Sequence, residues 1–170
     1  VPLVSEIENL FLIPKVIELV AKKQNIENVD DLLEQTKAKT IEFLQEHLEE
    51  QSLLFAKKRC QNTINNICNQ PTSTIEEYKA SLDGVVDIVN PQEEYNKVRE
   101  ELQKIIDDKD YLAALKVINN KGLLPSTNLP NVFGWKKQYY IEYVIRLLES
   151  KDSASEELCD IFREYVPVEI

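Results

Sequence analysis

Along most of this chain apolar residues return every three or four positions, the spacing of helices that turn one face to a core. The longest such run goes from Asn28 to Gln70. Asn28 is placed to cap it, and Asp30 and Asp31 in the first turn suit the positive end of a helix dipole. From Leu32 to Cys68 there is neither Gly nor Pro, and Pro71 sets the stop at Gln70. A straight helix of about 40 residues is a rod of roughly 60 Å, longer than a compact domain of this size is wide. Leu33, Ile41, Leu44, Leu48 and Phe55 form one stripe, which fails at Ser52 and Arg59; Cys60, Ile64, Ile67 and Cys68 begin another. The slip predicts a change of packing partner across residues 52–59 and allows a break there. The shorter elements are expected to pack around this helix.

Residues 1–13 read as a lead-in, in which Val1, Leu3 and Val4 are the end of a strand or an extended segment. Pro14 opens a helix to about Lys23 that turns Ile13, Val16, Ile17 and Val20 to the core. After Pro71, Ser73 and Glu76 have capping-box spacing for a helix carrying Tyr78, Leu82, Val85, Val86 and Val89, weakened by Gly84. Asn90, Pro91 and Glu93 repeat that logic for a helix to Asp107, with Tyr95, Val98, Leu102, Ile105 and Ile106 on its apolar face. Asp110 caps a shorter helix with Leu112, Leu115 and Ile118, which ends at Asn119–Gly122; Gly122 suits a left-handed terminus. Pro125, Pro130 and Gly134 mark residues 123–134 as one long loop, a kind of segment that tends to be functional or mobile. Helices follow from Trp135 to Ser150 and from Ser153 to Val166, before Pro167. The pattern defines an all-α fold, an irregular bundle of about six or seven helices around one long helix. Residues 14–170 form a single helical domain behind the lead-in.

Composition narrows the function classes. The 170 residues suffice for a real core, and 43% hydrophobic with 29% charged content and only 3 Gly agree with a helical globular protein. No apolar run approaches the roughly 20 residues of a membrane span, so no membrane contact is expected. A formal net charge of −10 repels nucleic-acid phosphate at long range, yet leaves room for a local basic patch. Cys60, Cys68 and Cys159 are odd in number and include no CxxC pair. They read as reduced thiols acting as small apolar residues, and place the chain in the cytoplasm. With Val1 first and no Met anywhere, the expectation is a piece of a longer protein, with residues 1–13 as the end of an upstream domain.

Candidate chemistry is sparse. Glu6 and Glu8 flank Ile7. In an extended segment i and i+2 project the same way, so both carboxylates can point at one divalent cation. Two carboxylates make an incomplete site, and acidic residues at a helix start are the plainer reading. His47 is the only histidine, which excludes a His-based triad, and no glycine-rich phosphate loop is present. Lys57, Lys58 and Arg59 are the densest basic cluster, and Lys136 and Lys137 follow Trp135. Converging, they would touch phosphate with Trp135 as a stacking face; solvated charge offsetting the acidic excess is the plainer reading. Tyr139, Tyr140 and Tyr143 read as core and interface aromatics.

Two stretches carry a resemblance. Ser5-Glu6-Ile7-Glu8-Asn9-Leu10-Phe11-Leu12, followed by a proline and an amphipathic helix, resembles an IEN-(Y/L)-L-L segment. That segment closes the TOPRIM-like domain in bacterial proteins associated with ABC-type ATPases, relatives of the overcoming-lysogenization-defect nucleases. Ala114-Leu115-Lys116-Val117-Ile118 with Asn120-Lys121-Gly122-Leu123-Leu124 resembles the later GK-x-L-L stretch of the same family, in which a helical insertion separates the two. Here Lys121-Gly122 stands in the reverse order, a departure at the position where the family pattern would put a charge-stabilising lysine.

The resemblance implies a parent protein that is a metal-dependent nuclease using Mg or Mn. Its main carboxylates would lie upstream of Val1, with Glu8, and less directly Glu6, bordering the site. For the chain itself it implies no catalysis and no cofactor. The work expected is structural: positioning the catalytic part, pairing as a homodimer, docking an ABC-type ATPase domain or subunit, and serving anti-phage defence. Nucleic-acid or anion contact would fall to Lys57, Lys58, Arg59, Lys121, Lys136 and Lys137. The rival is a stand-alone helical protein–protein interaction module, an adaptor or effector fragment.

Overall fold

The computed structural model describes residues 6–151 and 153–165. Among them are a 3-10 helix, Ile7–Leu12, and the α-helices α1 (Pro14–Lys23), α2 (Val29–Glu46), α3 (Leu48–Cys68), α4 (Ile75–Asp83), α5 (Val85–Ile88), α6 (Pro91–Asp107), α7 (Tyr111–Val117), α8 (Leu123–Ser126), α9 (Leu129–Val132), α10 (Lys137–Glu149) and α11 (Ser153–Tyr165). No strand occurs among the described residues, so the all-α expectation stands. The chain divides into two compact units: one holds the residues up to Glu46 and from Ile105 onward, the other His47–Lys104.

Several boundaries follow from local chemistry. Pro14 sits in the first turn of α1, where its missing N–H costs nothing, and Lys22 and Lys23 close the helix against its negative end. Asn90 Oδ1 accepts from Glu93 N at 3.2 Å to start α6, and Asp110 Oδ1 accepts from Ala113 N at 3.0 Å to start α7.

Other expectations need correction. The run from Asn28 to Gln70 is two helices, and the break falls at His47, upstream of the slip at 52–59. Ser52, where the apolar stripe fails, is buried inside α3 because its hydroxyl donates to Leu48 O at 2.6 Å and so needs no outside partner. The capping box belongs to Thr74 and Glu77, one residue later than Ser73 and Glu76: Thr74 Oγ1 accepts from Glu77 N at 3.2 Å, and Glu77 Oε2 from Thr74 N at 3.3 Å. Gly122 is not left-handed, with φ −75°; the left-handed glycine is Gly134, at φ 71°. Residues 123–134 are not a loose loop either. They fold into α8 and α9, and Leu123, Leu124 and Leu129 are fully or almost fully buried.

The lead-in is corrected most. From Ile7 it is a 3-10 helix, not an extended segment; Val1, Leu3 and Val4 lie outside the described residues. This short helix, and not the long run, is what the first unit packs around: it touches α1, α7, α8 and α10. Leu10, Phe11, Leu12 and Ile13 from this segment join Val16, Ile17 and Val20 of α1 and Leu44 of α2 in the core. Leu115 of α7, Val144 of α10 and Leu158 of α11 complete it. In α2, Thr36 and Thr40 are buried by turning their hydroxyls onto Leu32 O and Thr36 O, at 2.8 and 2.9 Å.

The second unit is leaner. Its buried apolar side chains are Leu48, Ala56 and Cys60 on α3 and Val98 and Leu102 on α6, while α4 buries no residue.

Candidate functional site

A buried helix end must find partners for its last carbonyls, and α7 ends inside the first unit. Asn9 supplies them. Its amide Nδ2, in a residue only 1% exposed, donates to Leu115 O and Ile118 O, each at 2.8 Å. The 3-10 helix has orphan carbonyls of its own. Tyr140 Oη donates to Phe11 O at 2.9 Å, and Tyr111 Oη donates to Leu12 O. Burial pushes both phenols well above their ordinary pKa, so both remain neutral donors. The two stretches that carry the family resemblance therefore meet through Asn9.

Glu6 and Glu8 do not share an extended strand. Glu6 is the extended residue before the 3-10 helix and Glu8 lies in its first turn. Glu8 Oε2 is 2.6 Å from Lys137 Nζ, an ion pair whose approach falls short of an aligned hydrogen bond. Lys137 Nζ also donates to Lys121 O at 2.9 Å. Glu8, Lys137 and the Lys121 backbone thus form one cluster. Lys136 is exposed beside the ring group of Trp135, whose centroid lies 5.0 Å from that of Tyr139, 4.7 Å from Tyr143 and 5.2 Å from Phe133. Tyr143 Oη accepts from Gln24 Nε2 at 2.8 Å, and Tyr140 is fully buried. These tyrosines are packing aromatics before they are a stacking platform.

Lys57, Lys58 and Arg59 belong to the second unit. Lys57 and Lys58 are exposed, whereas Arg59 is committed to Glu101: Nη1 donates to Oε1 at 3.0 Å and Nη2 to Oε2 at 2.5 Å. That two-pronged pair holds the Glu101 carboxyl below the usual range and raises Arg59. Glu49 is held low in the same way by the Tyr95 hydroxyl and then by Arg99, whose Nε donates at 2.8 Å. The displaced titrations all belong to exposed ion pairs and buried phenols. Among the described residues no three His, Cys, Asp or Glu side chains gather as a metal site. The second unit also has a cleft of about 370 Å³ whose lining includes Leu53, Ala56, Lys57, Cys60, Ile64 and Pro91.

The sequence did not single out α4 as a surface. Ile75, Tyr78 and Leu82, at i, i+3 and i+7, form its apolar stripe, and they are 71%, 39% and 39% exposed. Residues in this pattern ordinarily face a core, so periodicity alone predicts them buried.

The fold and these clusters define a helical protein in which no described helix is long and apolar enough to cross a membrane. No family model, no curated protein and no solved structure matches the chain.

Proposed function

We propose that the chain is a non-catalytic helical region that works beside a TOPRIM-like, metal-dependent, ATPase-associated nuclease part, which it positions and links to partners. The observation that carries this is the meeting of the two family-like stretches. Asn9, in the first, bonds the carbonyls of Leu115 and Ile118, in the second, while Leu123 and Leu124 fill the neighbouring core. A segment that closes an upstream domain and is also the packing centre of a helical unit would transmit the orientation of one to the other. By the resemblance Glu8, and less directly Glu6, would border the metal site, and Lys137 pairs with Glu8 here. Mg or Mn would belong to the upstream carboxylates, not to this chain.

The test has a genetic and a biochemical arm. The codons preceding Val1 should encode an acidic TOPRIM cluster, with an ABC-type ATPase as a domain or a neighbour. The purified chain should neither cut plasmid DNA with Mg or Mn nor hydrolyse ATP. Cleavage by the chain alone, or an upstream sequence with neither feature, sinks the proposal.

A second reading, a stand-alone helical interaction module, draws support from the solvent-facing apolar stripe of α4. The two readings share one element, docking of a partner. A nucleic-acid contact would draw on Lys57 and Lys58 in one unit or Lys121 and Lys136 in the other, and filter binding at low salt tests it.

A further inference from the structure

We infer that the outer face of α4 is a docking surface for a basic amphipathic helix of another protein; this deepens the reading of the chain as a docking region and rests on it. An amphipathic helix in a finished fold turns its apolar stripe inward. In α4 the stripe is left partly open: Ile75 is 71% exposed and Tyr78 and Leu82 39% each, Ile88 of α5 just beyond them is 61% exposed, and the most covered side chain of α4 is the polar Ser81. The helix is nonetheless well made, with a complete capping box at Thr74 and Glu77. A helix start this well specified, on an element that buries nothing, is organised for something outside the chain.

Charge decides what that is. The residues around the stripe are Glu76, Glu77, Asp83 and Asp87, against Lys79 alone. Glu77 is occupied with the cap, while no ion pair among the described residues engages Glu76, Asp83 or Asp87. A second copy would bring the same carboxylates to the same apolar stripe, on a chain whose net charge is already −10. At physiological salt the screening length is about 8 Å, so carboxylates flanking one stripe still repel their duplicates. An anionic lipid or nucleic acid is disfavoured for the same reason. A helix with Leu or Ile at i, i+3, i+4 and i+7 and Lys or Arg on its shoulders covers the stripe and pairs the carboxylates together.

The experiment uses the full chain and two labelled 20-residue helical peptides, one of Leu and Lys in this spacing and one with Glu in place of each Lys, read by fluorescence anisotropy. The basic peptide should bind and the acidic one should not. The double variant Ile75→Ser/Leu82→Ser should weaken binding by at least tenfold. The triple variant Glu76→Gln/Asp83→Asn/Asp87→Asn should weaken it by about tenfold, as should raising NaCl from 50 to 500 mM. All these positions are exposed, so unchanged circular dichroism shows that the variants fold. Equal binding of both peptides, no binding of either, or binding that survives the Ser variants overturns the inference. Sedimentation showing a dimer that the Ser variants dissociate also overturns it, but leaves the docking reading intact. That reading fails separately, if the chain proves to be a nuclease or ATPase unaided.

Discussion

Replacing Asn9 by Ala tests the centre of the fold. The change removes two hydrogen bonds of 2.8 Å from a residue that is 1% exposed, and leaves the carbonyls of Leu115 and Ile118 without their donor. A buried acceptor stripped of its partner costs about 1–3 kcal/mol, and since the two carbonyls share one amide we expect about 2–4 kcal/mol in all. That is a large fraction of the roughly 5–15 kcal/mol that keeps a domain folded. Urea denaturation followed by the fluorescence of Trp135, which belongs to the same unit, should show a midpoint lower by about 1–2 M. Asn9→Asp adds a signature that mere loss of volume lacks. A carboxylate only accepts, so it would face two acceptors; protonated, it can donate to one of them. Its folded-state pKa must therefore rise above the unfolded value of about 3.9. The variant is then most stable below about pH 4 and loses stability as pH climbs toward the folded-state value. If Asn9→Ala moves the midpoint by less than about 0.5 M, or Asn9→Asp shows no loss between pH 4 and 7, Asn9 does not cap α7 as described.

Tyr140→Phe removes the donor to Phe11 O and should cost about 1–2 kcal/mol in the same denaturation assay, with Tyr111→Phe costing a similar amount; a neutral result for both means that water reaches these carbonyls. Lys137→Met leaves the partly buried Glu8 carboxylate without its cation and should cost about 1–2 kcal/mol, while adding Glu8→Gln should recover part of it; no recovery by thermal melting speaks against the pair. The Arg59–Glu101 pair is more than one-third exposed on both sides, so a double-mutant cycle should give only about 0.5–1 kcal/mol, less in 0.5 M NaCl. Because Arg59 lowers the Glu101 pKa, that coupling is present above the unfolded value of about 4.3 and disappears as pH falls through the folded one; a coupling that persists at pH 2 contradicts the assignment. Gly134→Ala forces a Cβ onto a residue at φ 71° and should destabilise by about 1 kcal/mol, although nothing lies within 4 Å; an unchanged melting temperature would mean the turn relaxes.

Much of the candidate chemistry was visible in the sequence as residue types but not as neighbours. Lys57–Lys58–Arg59 reads as one basic cluster, yet Arg59 is committed to Glu101, 42 positions away. Lys136 and Lys137 read as a pair, yet Lys137 turns to Glu8 and the Lys121 carbonyl. Asn9 had a visible signal, a lone amide before Leu10-Phe11-Leu12-Ile13, because a polar group in such a run is buried only with partners. Which partners it takes is a distance no local pattern contains.

What the sequence determined by itself lies within a few residues, although the capping box sits one residue later than it predicted and Gly122 is not left-handed. Helical periodicity, Pro14 and Pro91 at helix starts, the caps by Asn90 and Asp110, and the end of α6 at Asp107 depend on backbone groups three or four positions apart. Tertiary structure alone decided that α2 and α3 part at His47, that residues 123–134 become core, and that a six-residue 3-10 helix is the centre of the first unit. It also decided that the α4 stripe faces solvent. Each of these turns on which distant surface takes up an apolar face or an orphan carbonyl. That is a competition among partners scores of residues apart, and periodicity is blind to its outcome.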